Sequence, residues 1–64
     1  MNRYIVVYYD QAADAIGIEG STAKTRAEAA AQFEDGGTDR IHVTAYTLAE
    51  WDQVLVHARR GARQ

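Results

Sequence analysis

The chain reads as a small α+β domain, a two-layer sandwich in which a three-stranded antiparallel or mixed sheet of order 2-1-3 carries two helices on one face, in the order ββαβα. Three observations predict it. The run Tyr4-Ile5-Val6-Val7-Tyr8-Tyr9 is apolar or aromatic at every position, as a central strand buried on both faces requires. A Thr followed three residues later by Glu, the spacing of a helix capping box, occurs at Thr25-Arg26-Ala27-Glu28 and again at Thr47-Leu48-Ala49-Glu50. Two further short segments, Ile16-Gly17-Ile18 and Arg40 to Tyr46, alternate with period two.

The first strand covers Tyr4 to Tyr9. Side chains alternate across a strand, so Ile5, Val7 and Tyr9 are expected to line the core while Tyr4, Val6 and Tyr8 point away from it. Asp10 to Asp14 make a polar connection. The second strand sends Ile16 and Ile18 inward, and Gly17 marks it as an edge. The first helix opens at Thr25 and is expected to stop at Gly36-Gly37. Ala29, Ala30 and Phe33 share one side of it, and alanine lets such a helix lie close to a sheet. The third strand turns Ile41 and Val43 inward and His42, Thr44 and Tyr46 outward. The second helix opens at Thr47 and is expected to stop at Gly61, with Arg59 and Arg60 opposing the negative end of its dipole. Leu48, Trp51, Val54, Leu55, Ala58 and Ala62 form its apolar stripe, opposite Glu50, Gln53 and His57. Residues 1–64 are read as one domain with a frayed tail at 61–64.

This plan leaves one sheet face bare. The candidate partner-binding surface is Tyr4, Val6 and Tyr8 in the middle, with His42, Thr44 and Tyr46 on one side and Gly17 and Glu19 on the other. Tyrosines gathered on an apolar face are favoured interface anchors. A charge at Val6 is therefore expected to spare the fold, and a charge at Val7 to destroy it.

Composition limits the alternatives. Sixty-four residues leave a thin stability margin, and without cysteine neither a disulfide nor a thiolate metal site supports it, so a second subunit is the remaining common aid. His42 and His57 have no ligand spacing around them, so no metal or cofactor is expected. The acidic residues fall in turns, and Gly36-Gly37 follows a helix where a phosphate loop would precede one. A catalytic site or a small-molecule substrate is not expected.

Seven Lys and Arg against nine Asp and Glu give a net charge of −2, which exerts no global pull on phosphate. The nucleic-acid alternative would join the tyrosine face to Arg3, Arg40, Arg59, Arg60 and Arg63. The chain shows neither a basic leader nor a long apolar run, which predicts a cytoplasmic protein without a membrane span. The leading expectation is a non-enzymatic interaction module that binds a partner protein or a second copy of itself. Six Arg to one Lys with abundant Ala fit a GC-rich genome, and a phage or mobile-element inhibitor or accessory protein is the role in view.

Overall fold

In the computed structural model, which describes residues 1–34 and 39–62, the two-sided apolar run forms the central strand β1, Tyr4–Asp10. It pairs antiparallel with β2, Ala15–Ser21, and with β3, Arg40–Thr47, so the sheet has the order β2-β1-β3. Helix α1, Arg26–Glu34, connects β2 to β3, and helix α2, Leu48–Ala62, follows β3 directly. The ββαβα order, the antiparallel sheet and its strand sequence are those expected.

Local chemistry explains the joints. The Asp10 carboxylate accepts from the N–H groups of Ala12 and Ala13 and so closes the β1–β2 turn. Asp14 leaves that turn with φ 50°, in the left-handed region that Asp tolerates better than most residues. At α1 the Thr25 hydroxyl accepts from the Glu28 N–H at 3.2 Å. At α2 the box is reciprocal: Glu50 N–H donates to the Thr47 hydroxyl at 3.1 Å, and Thr47 N–H donates to the Glu50 carboxylate at 2.8 Å. The expected stop at Gly36-Gly37 lies outside the described residues. The stop expected at Gly61 is not taken, because α2 runs through Gly61 to Ala62. Gly61 is exposed, and of the tail expected at 61–64, residues 63–64 lie outside the described residues.

The faces of the sheet are exchanged relative to the expectation. Val6 is 0% exposed and Tyr8 7%, both packed with Ala23, Ala29 and Ala45 beneath α1, while Tyr4, Ala30, Phe33 and Val43 close the margin. Ile16 and Ile18, expected inside, are 70% and 55% exposed. The reason lies in fit. Tyr8 pairs with Gly17, and a side chain added at Gly17 would sit 2.2 Å from the Tyr8 ring, so the missing Cβ is what lets the ring lie flat across β2. The ring then stacks on Phe33 with centroids 6.0 Å apart, and the Arg40 guanidinium lies 4.8 Å from its centroid. Alanines at positions 29 and 45 bring the helix close to Val6. Ser21, also buried, donates to Gln32 at 2.6 Å and accepts from the Ala23 N–H.

A β-bulge completes the exchange. Val7 pairs with Thr44 and Tyr9 with Ile41, so His42 and Val43 together oppose the single residue Tyr8. His42 takes up the extra residue with φ 56°. Ile41 and Val43, expected on one face, are thereby split between the two.

Helix α2 is placed by its first turns. Trp51 lies against Tyr46 with centroids 6.0 Å apart, and Tyr46 pairs with Ile5, on the face that α1 leaves open. Arg26, the first residue of α1, bridges to Glu50 at 2.9 Å and donates to the Ala45 carbonyl at 2.8 Å, tying the two helix starts together. The molecule measures 16 Å along its shortest axis, about the depth of a sheet with one helical layer, since a helix with its side chains is about 10 Å thick. That depth is the two-layer plan expected, with α2 in contact with β3 and with the central strand β1.

Candidate functional site: the open sheet face

Strand pairing defines the open face. Ile5 sits beside Gly20 and Tyr46, Val7 beside Ile18 and Thr44, and Tyr9 beside Ile16 and Ile41. Because paired residues share a side, these nine positions lie together, and not one of them carries a charge. Trp51 extends the apolar surface from Tyr46 onto α2, where Leu48 and Val54 remain exposed and Leu55 is half-buried.

The six residues expected to form the partner surface are divided by the structure. Val6 and Tyr8 are under α1 and unavailable to a partner, because the helix needs their narrow, glycine-backed side of the sheet, and Tyr4 packs half-buried at the margin of the same core. Thr44 and Tyr46 are on the open face as expected, but their neighbours are Val7 and Ile5. His42 is exposed at the bulge, outside both rows. Gly17 and Glu19 pair with Tyr8 and Val6 and so belong to the covered face. Ile5, Val7, Tyr9, Ile16, Ile18 and Ile41 enter the site, and alternation alone could not have selected them, since β1 is apolar on both sides. A readable signal was Gly17 flanked by two isoleucines: a glycine opposite an aromatic is a seat for its ring, which sends the isoleucines to the other face.

Electrostatics concentrate at the ends of this face. The Tyr9 hydroxyl donates to the Asp14 carboxylate, and that bond, then burial and the nearby Asp10 charge, push the phenol above its usual pKa. At the other end, the Glu50 carboxyl is held below its ordinary range, first by the Thr47 N–H and then by Arg26. Arg40, a candidate phosphate contact, is committed to the Tyr8 and Phe33 rings and to the Phe33 carbonyl, and Arg63 lies outside the described residues. Among the described residues no three His, Asp or Glu side chains gather as a metal site would need. No described helix is long and apolar enough to cross a membrane.

The fold and face together define a class: a small α+β domain with one sheet face covered by a helix and the other open and uncharged. Comparison with protein-family models, curated proteins and solved structures finds no match to this chain.

Proposed function

We propose that the chain is a non-enzymatic protein-interaction module that docks a protein on its open sheet face. The observation that carries this reading is Ile16 and Ile18, 70% and 55% exposed, continuing a row of apolar neighbours on β1 and β3. Burying one such side chain fully is worth about 1.5–3 kcal/mol. Single exposed isoleucines are ordinary, whereas a contiguous set marks a contact surface. Lack of charge at the centre, with Tyr9, Tyr46 and Trp51 around it, matches the composition of interface cores. An inhibitor or accessory protein acting by occlusion would work through such a surface.

Site-specific photo-cross-linking in cells that make the protein tests this reading. A photoreactive residue replacing Ile18 is expected to give a protein adduct, and one replacing Glu28, on the exposed side of α1, is expected to give none. No adduct from position 18, or equal adducts from both, would overturn it.

A further inference from the structure

Resting on that reading, we infer that the occupant of the open face is a second copy of this chain, packed sheet on sheet about a two-fold axis, with the α2 stripe completing the contact.

The chain's own core is too small to stand easily alone. Among the described residues the buried apolar ones are Val6, Tyr8 and three alanines, and Val6 is the largest side chain that is fully buried. A single core in a chain this short supplies about 3–5 kcal/mol at best, and no disulfide adds to it. A second subunit sharing the open face would roughly double the apolar layer around β1, which then lies between α1 and the partner's sheet.

The surface area points the same way. The chain exposes 4697 Å², whereas a compact monomer of 7.1 kDa is expected to expose about 4,100 Å². The excess of about 600 Å² approaches the ~800 Å² that each partner contributes to a standard interface. Large apolar side chains left exposed lie on the open face, at Ile16 and Ile18, and on the α2 stripe, at Leu48 and Val54.

Charge distinguishes a second copy from an unlike partner. A two-fold interface sets a patch against itself, so any charge near its centre meets its own image. The nine paired positions of the open face carry none, and a charged partner surface would find nothing there to pair with. Aligned packing at about 10 Å is the usual way for two such apolar sheets to meet.

Light scattering during gel filtration over a wide concentration range tests the inference. The wild-type chain is expected to show about twice the 7.1 kDa chain mass, with a thermal midpoint that rises with protein concentration. Ile18→Asp is expected to run as a single chain where wild type is paired, and Glu28→Gln to leave pairing unchanged. If Ile18→Asp does not fold, Ile18→Thr, which keeps strand propensity, carries the test and is expected to weaken pairing about tenfold or more. Pairing indifferent to both substitutions at Ile18 would overturn the inference. So would a wild-type chain that is single at every concentration: if position 18 still cross-links to another protein, the second-copy inference falls while the interaction module stands, and if it does not, both fall.

Discussion

The two faces of the sheet are both apolar; α1 covers one, and on the other Ile16 and Ile18 stay exposed while Ile5, Val7, Tyr9 and Ile41 are half-buried. The covered face presents Val6, Tyr8, Ala45 and Gly17 to α1, and the open one presents Ile5, Val7, Tyr9, Ile16, Ile18 and Ile41. The open face has the greater aliphatic bulk. Hydrophobicity alone would send the isoleucines inside. What α1 offers is a row of alanines and one phenylalanine, and these fit a side of the sheet that is narrow at Ala45, empty at Gly17 and filled by one ring at Tyr8. The difference teaches that close packing chooses between two sufficiently apolar surfaces, since interiors are as dense as organic crystals and small voids cost as much as lost area. The surface that fits less well stays outside the core, with Ile16 and Ile18 exposed.

The strongest way to break this comparison is to place a charge on each face. Val6→Asp puts a carboxylate where the side chain is fully buried and apolar Ala29 and Ala45 surround it. A loss of about 4 kcal/mol or more is expected, enough to abolish the folded circular dichroism spectrum of a domain this small. Ile16→Asp, on the open face, is expected to cost much less in urea denaturation at concentrations where the wild-type chain is single. This reverses the ranking that alternation along β1 suggests, and a stable Val6→Asp chain would return the helix to the isoleucine side.

The glycines make a finer comparison. Gly17 and Gly20 are three residues apart on β2 and face opposite ways, since Gly17 pairs with Tyr8 and Gly20 with Ile5. A methyl group at Gly17 meets the Tyr8 ring at 2.2 Å, and that ring is held by Phe33 and Arg40. Gly17→Ala is therefore expected to cost about 1–3 kcal/mol by overpacking. At Gly20 the nearest atoms to an added methyl group belong to the Asn2 side chain, which is exposed and free to swing away. Gly20→Ala is expected to stay within about 0.5 kcal/mol of wild type, with a gain in strand propensity offsetting the shift. Chemical denaturation of the two variants side by side measures this, and equal losses would mean that Tyr8 does not lean on Gly17.

Much of the fold was legible because it rests on local chemistry. The two Thr-x-x-Glu spacings located both helix starts, and the uninterrupted apolar run identified the central strand. The candidate site was legible only as a consequence, that one face of the sheet would lie open. Which face it would be depended on a contact between strands, the Tyr8 ring over Gly17, and on the extra residue at His42, which reverses the alternation of β3 partway along. Neither is a periodicity, so pattern counting along one strand passes over both. Gly61 differs by one position: α2 runs through it to Ala62, since a glycine permits the left-handed turn that closes a helix without compelling it.

The smallest expected effect concerns the joint between the two sides, where Arg26 at the start of α1 meets Glu50 in the first turn of α2. The Glu50 carboxyl is held below its ordinary value of 4.5, chiefly by the Thr47 N–H and next by the Arg26 guanidinium. A folded-state pKa lower than the unfolded one means that the charged form favours folding. The contribution is thus fully present above the unfolded value and disappears as acid carries the solution down through the folded one. Both partners are exposed to solvent, so screening keeps the effect small and salt weakens it further. Glu50→Gln retains an acceptor for the Thr47 N–H but removes the charge, which isolates the electrostatic part of the joint. Thermal unfolding of the two proteins is expected to show wild type ahead at neutral pH, with the gap narrowing on acidification through the region below pH 4.5 and narrowing also in high salt. Identical profiles for the two would mean that the ion pair does not hold α2 to the covered side, leaving Trp51 against Tyr46 as the contact that sets where the helix borders the open face.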